Sequence, residues 1–420
     1  MEFGFWKTNM KKTEKYSAIF NYVVLIAIIS LYGIVFLRIS NFGGHTLINL
    51  LLVCLIGIFI LKRFLIDKFD INKKKRNYLI VGIITILISS YISLLTGNMR
   101  FFKTLSLDLF FLIAPAFLYV FMDERMKKIS FYLIIFFFTI NNLILSIGLV
   151  LGLSYFVRSE YAYCVIYATV PYIISLIIFI FKNSKKINNL FKLVLYFSLI
   201  ISLLSLILAG FMIALIAFLA SLYFCVLLCF LKSRKQKIVF LSISVVLIVG
   251  MFFAGKIFLP KIAEVLARIN IYYYERINDI YLMIYQNQIG MAMQGRINRY
   301  SGSLDSISNY FLFGVCWRIN DKFPLYYGTS YHSTLLDNFA FFGFFYFLLY
   351  LVAFFGPLFF FSKERKISSI IKNALPGIIC VFIIVLIDNA SSMFALSSSL
   401  FYMLVLDCND YYSKHLCLKI

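Results

Sequence analysis

Two short stretches hold the side chains best suited to chemistry. In "GTSYHSTLLDNFAFFG", Gly328–Gly343, the chain places His332, one of only three histidines, among hydroxyls at the edge of a long apolar run. Imidazole titrates near neutral pH, so His332 could take a proton from a hydroxyl without help from a metal. The plainer alternative is a polar residue capping a span at the interface. Asp337 follows five residues later, about 140° round a continuous helix, and pairs with His332 only if the helix begins after the histidine. In "GRINRYSGS", Arg296 and Arg299 stand one turn apart beside Tyr300. Guanidinium is a planar, permanently charged fork that suits phosphate or carboxylate. On an amphipathic helix it also serves simply to snorkel to a membrane surface. His45, in a short outer turn, and His415, in the C-terminal tail, carry only structural readings.

These groups must be positioned by a membrane protein. Of 420 residues, 62% are hydrophobic and 14% charged, and the mean hydropathy is +0.93. The apolar residues fall in blocks long enough to cross a hydrocarbon layer of ~30 Å. The blocks are Ser17–Leu37, Thr46–Leu61, Tyr78–Leu95, Leu107–Met122, Ser130–Leu153, Val165–Phe181, Leu193–Leu208, Phe211–Leu231, Ile238–Phe258 and Leu335–Phe361, followed by a shorter hairpin, Leu375–Ile387 with Ala395–Leu406. The expectation is an all-α polytopic membrane protein of about twelve transmembrane helices. Lipid leaves helices and closed barrels as the only spanning forms, and no dyad alternation of a barrel is present. The first block lacks a cleavage pattern, so no removable signal peptide is expected.

Orientation follows from charge. The formal net charge is +22, yet the basic residues are sorted rather than spread: alternate loops and both termini carry 28 of the 40 Lys and Arg, the opposite set 12. That is the positive-inside pattern. It puts both termini in the cytoplasm, and the excess charge points to membrane orientation, not to nucleic acid. Lys74 and Lys235 are then inside, Asp305 and Cys316 outside. The eight cysteines show no metal spacing, and neither a metal site nor a structural disulfide is expected. Asp108 and Asp388, at the ends of apolar blocks, read equally as functional acids or as solvated span edges.

Three regions result: a transmembrane bundle of about nine helices over 1–258, an extracytoplasmic loop over 259–334, and C-terminal helices with a cytoplasmic tail over 335–420. The loop is too rich in apolar and aromatic residues for disorder. Two helical stripes run through it. One joins Ile262, Val265, Leu266, Ile269, Tyr273, Ile277, Ile280 and Ile284; the other joins Ile297, Tyr300, Leu304, Ile307 and Phe311. Both suit helices lying in the headgroup layer. No Gly-rich phosphate loop or nucleotide-binding fold appears, so the energy for any chemistry must arrive in the substrate or in an ion gradient.

Taken together, "GRINRYSGSLDSISNYFLFGVCWR" and "GTSYHSTLLDNFAFFGFFYFLLYL" resemble the O-antigen ligase and polymerase superfamily. The specific part of the resemblance is Gly295–Gly343; the number of spans and the late outer loop agree with it. The sequence departs from the family where Ser333 follows the histidine in place of the frequent Asn, and where Val315 and Cys316 follow Gly314 in place of a second Gly. The resemblance implies a GT-C-like fold and a metal-independent inverting glycosyltransferase with no cofactor, in the bacterial cytoplasmic membrane. It would join polyprenyl-diphosphate-linked oligosaccharide repeat units into capsular or O-antigen polysaccharide on the outer face. His332 would be the general base and Arg296 would hold the leaving diphosphate. Arg158, Arg299, Arg276, Arg268, Tyr300, Ser333 and Asp337 would line the substrate. Partners would be the lipid-linked donor, membrane lipid, and flippase and chain-length regulator proteins. Two alternatives stand beside it: a flippase or transporter of lipid-linked oligosaccharide, and a glycan ligase of the same superfamily.

Overall fold

The computed structural model describes residues 12–33, 44–95, 110, 113–157, 159–185, 187–231, 233–268, 271–315, 333–360 and 367–387. It is all-helical there. The helices are α1 (Lys12–Gly33), α2 (Gly44–Leu61), α3 (Lys73–Leu95), α4 (Glu124–Val150), α5 (Glu160–Asn183), α6 (Asn189–Ala209), α7 (Met212–Cys225), α8 (Arg234–Ala267), α9 (Ile271–Tyr285), α10 (Met291–Asn309), α11 (Thr334–Phe360) and α12 (Ile367–Ile387). Residues 113–121 are also helical. Six helices are long and apolar enough to cross a membrane, and the bent α8 makes a seventh. The protein is therefore a multi-pass membrane protein. Of the twelve expected spans, Ala395–Leu406 and part of Leu107–Met122 lie outside the described residues.

The ends of these helices follow from local sequence. Asp123 caps α4 by accepting from the Met126 amide at 2.9 Å. Ser159 does the same for α5 from Ala162 at 3.1 Å. Ser233 and Gln236 form a reciprocal capping box at the start of α8, each side chain satisfying a backbone amide that the helix leaves open. Gly210 ends α6 with φ +73°, the left-handed turn that glycine adopts without penalty.

α5 is the hub: 83% of its apolar window is buried, against 28–44% for the other spans of this class. α4 packs along α6, α5 against α6 and α7, α12 against α7, and α3 against α11. Small polar groups join the central helices. Asn142 of α4 accepts from Thr169 of α5 at 3.0 Å and from Ser205 of α6. Thr139 of α4 donates to Ser198 of α6 at 2.7 Å. Each such contact inside a bilayer contributes about 0.6 kcal/mol.

Three details differ from the sequence reading. α8 continues past residue 259 to Ala267 and bends by 67° between Arg234–Gly250 and Phe252–Ala267, so the segment expected to be an outer loop begins inside a helix. The first stripe is not one helix but two, α8 and α9, and its Tyr273 and Ile277 form a small separate core with Ala263, against Met212 and Leu215. In the second stripe the apolar residues face outward: Ile297, Leu304 and Phe311 are 43%, 52% and 46% exposed, while Ser303 and Ser306 are 0% and 6%. In a membrane protein, lipid takes the apolar side of a helix, and small hydroxyl residues permit close helix packing.

Candidate functional site

The junction of α10, α11 and α12 brings together four of the nine candidate residues, Arg296, Tyr300, Ser333 and Asp337. α11 begins at Thr334, after the histidine, with Ser333 in the capping position. The Ser333 hydroxyl accepts from the Leu336 amide at 3.1 Å and donates to the Val385 carbonyl of α12 at 3.4 Å. This start places Asp337 in the first turn of α11, where the helix dipole favours a carboxylate. Across the interface, the buried Ser303 of α10 donates to Asp337 Oδ1 at 2.7 Å. Tyr300, one turn earlier on α10, donates its hydroxyl to the Ile387 carbonyl at the end of α12. The last carbonyls of a helix have no partner within it; here Ser333 and Tyr300 supply them.

Arg296 lies on the same face of α10 as Ser303, two turns or about 10 Å before it. It is half-buried and makes no ion pair among the described residues. Arg268, exposed at the end of α8, has no acidic partner among them either. Arg276 differs: it pairs with Asp279 at 3.7 Å, which reduces its availability to a ligand. Asp279 also lies against the start of α10, where its carboxylate occupies the space a side chain at Gly290 would need. Tyr273 holds α9 to the bundle by donating to the Ile207 carbonyl at 2.7 Å, and burial pushes its hydroxyl up to about 12. His332, Arg158 and Cys316 lie outside the described residues, as do Asp108, Asp388 and His415; His45, expected in a short turn, is in the first turn of α2, and Arg299 is on α10, both with side chains outside the described set.

The geometry depends on a backbone crossing. α11 is broken at Gly343, where φ is +79° and ψ −180°, a region open essentially to glycine alone. The break frees main-chain groups, and residues 311–315 take them up. The Val315 amide donates to the Ala340 carbonyl at 3.0 Å and the Phe344 amide to the Phe311 carbonyl at 2.8 Å. Gly314, with φ +69°, crosses Gly343 so closely that a Cβ on either would run into the other segment's backbone. The sequence reading found both glycines but not their contact, nor the buried role of Ser303 and Ser306. The small-residue run Gly302, Ser303, Ser306 was the available signal for the α10 interface.

No protein-family model matches this chain, and no curated protein matches it in sequence.

Proposed function

We propose that the protein polymerises polyprenyl-diphosphate-linked oligosaccharide repeat units into capsular or O-antigen-type polysaccharide on the outer face of the bacterial cytoplasmic membrane, within a fold of about twelve spans. Arg296 binds the diphosphate as it leaves the donor's anomeric carbon, while His332 removes the proton of the attacking sugar hydroxyl. Configuration at the anomeric carbon inverts, and no metal or cofactor takes part. The observation that carries this reading is Arg296 itself: half-buried, without an acidic partner among the described residues, and on one helix face with the Ser303–Asp337 contact. A half-buried guanidinium without a carboxylate is suited to an anionic ligand. The start of α11 at Thr334 also removes the helical-phase objection to Asp337 orienting His332.

Transport of a lipid-linked oligosaccharide is the second reading. The breaks in α8 and α11 favour it, because interrupted helices are common at carrier sites. A ligase transferring finished glycan to another acceptor would use the same residues as the polymerase. The deciding experiment measures polymer length made by purified protein from lipid-linked repeat units, with chelator present. His332→Gln keeps a hydrogen-bonding side chain but cannot act as a base, so chain growth should fall about 10²–10⁴-fold. Long polymer from His332→Gln would remove the histidine from the mechanism. Movement of the substrate across proteoliposomes without any polymer would favour the carrier.

A further inference from the structure

We infer that the membrane-facing rim formed by the end of α2 and the starts of α3 and α4 is a binding surface for anionic phospholipid of the inner leaflet. The inference is independent of the glycan chemistry and rests on an imbalance of paired and unpaired charge. Asp67 is committed to Lys62 and Arg63, each at 3.3 Å. Asp123 caps α4 and lies 4.0 Å from Arg63. Glu124 pairs with Lys127 at 3.1 Å. The acids of the rim are thus used up, save the exposed Asp70.

Six cations are left. Lys68, Lys73, Lys74, Arg76, Arg125 and Lys128 make no ion pair among the described residues. They come from separate segments that the fold draws together: Lys75 of α3 and Lys127 of α4 lie over the same Tyr119 ring, at 5.8 and 4.6 Å from its centre. Beside them Phe64, Leu65 and Ile66 are exposed in the π-turn that ends α2. An apolar wall under a fringe of unpaired cations has the complement of a lipid with a negative headgroup. Lys and Arg at that depth contribute about 1 kcal/mol each towards an anionic surface. A neutral lipid gains nothing from the fringe.

The test uses the full-length protein in detergent, titrated with phosphatidylglycerol or phosphatidylcholine, with bound lipid counted by native mass spectrometry. Phosphatidylglycerol should bind at least ten-fold more tightly. The combined variant Lys73→Gln, Lys74→Gln, Arg76→Gln should lose most of that preference, at about five-fold per charge, while Lys73→Arg with Lys74→Arg keeps it. Arg234→Gln, Lys235→Gln, Lys237→Gln removes as many charges from the start of α8, where a single segment supplies them, and should lose clearly less. Melting in phosphatidylcholine alone checks that each variant is folded; if the α3 variant is not, Arg125→Gln with Lys128→Gln takes its place. Equal affinity for the two lipids, or equal loss from the α3 and α8 variants, overturns the surface.

Discussion

Two clusters of polar groups, one around Asp67 and one at the α10–α11–α12 junction, treat charge in opposite ways. In the first, Lys62 donates to the Ser17 hydroxyl at 2.6 Å and to Asn21 Oδ1 at 2.9 Å, and Asn21 donates to Asp67 at 2.7 Å. Arg63 is buried, donates to the Phe121 carbonyl at 3.0 Å and stacks over Phe69 at 4.3 Å. Every group in that knot has a partner, and its work is to fasten α1, α2 and the start of α4. At the α10–α11–α12 junction one carboxylate is held by a serine, and Arg296 has no carboxylate of its own among the described residues. Saturated charge holds helices; unsaturated charge is left for something that comes and goes. That difference, rather than the number of cations, separates a fastening from a site.

Three experiments test the contrast. The largest effect is expected at Gly343→Ala. The side chain would meet the Leu312 carbonyl and Gly314 nitrogen at a backbone conformation costing about 1–3 kcal/mol for other residues. Both thermal stability and activity should fall, whereas Gly57→Ala on α2, where nothing lies within 4 Å, should change neither. A normally melting Gly343→Ala protein would mean the crossing is not needed.

Next comes a matched pair of arginines. Arg296→Lys should lose about 10- to 100-fold in polymer formation, the size of one charge-assisted bidentate contact, with an unchanged melting temperature. Arg63→Lys should lower the melting temperature and leave polymer formation per folded molecule unchanged. Exchanged outcomes would reverse the assignment of site and fastening.

The smallest effect concerns acid. Burial alone would raise the Asp67 carboxyl, but hydrogen bonds from Asn21, Ser17 and Lys62 outweigh it and hold the group below its usual range. A depressed carboxylate contributes stability above its unfolded value of about 3.9 and loses it as pH falls through the lower folded value. Asp67→Asn should therefore reduce stability at neutral pH, and the gap to the parent should close below about pH 4. A gap constant across that range would remove Asp67 from the acid response.

What could be read without coordinates was set by periodicity. Long apolar blocks gave the helices because lipid enforces intrahelical hydrogen bonding, and α4, α5 and α6 fall over the expected segments. The sidedness of α10 was not legible, since Ile297, Leu304 and Phe311 form the same pattern whether they face lipid or protein. Asp337 could be picked out as a polar residue at the head of a span, but its partner Ser303 lies 34 positions earlier in the chain, and no local pattern connects them. The break at Gly343 was hidden for a similar reason. Its cause is a segment that ends 28 residues before it, and a single glycine in an apolar run looks like any other.

The crossing of Gly314 and Gly343 has a consequence for how such a protein can diversify. Main-chain bonds tie Val315 to Ala340 and Phe311 to Phe344, so the two ends of the intervening sequence are held together by backbone groups that do not depend on side-chain identity. Changes of length or composition between those ends need not be transmitted to the helices that carry them. Doubling a closed loop costs only about 0.6 kcal/mol in chain entropy. A lineage could therefore vary the intervening sequence while the buried helix contacts stay under their old constraints, and the two glycines would be the last residues free to change.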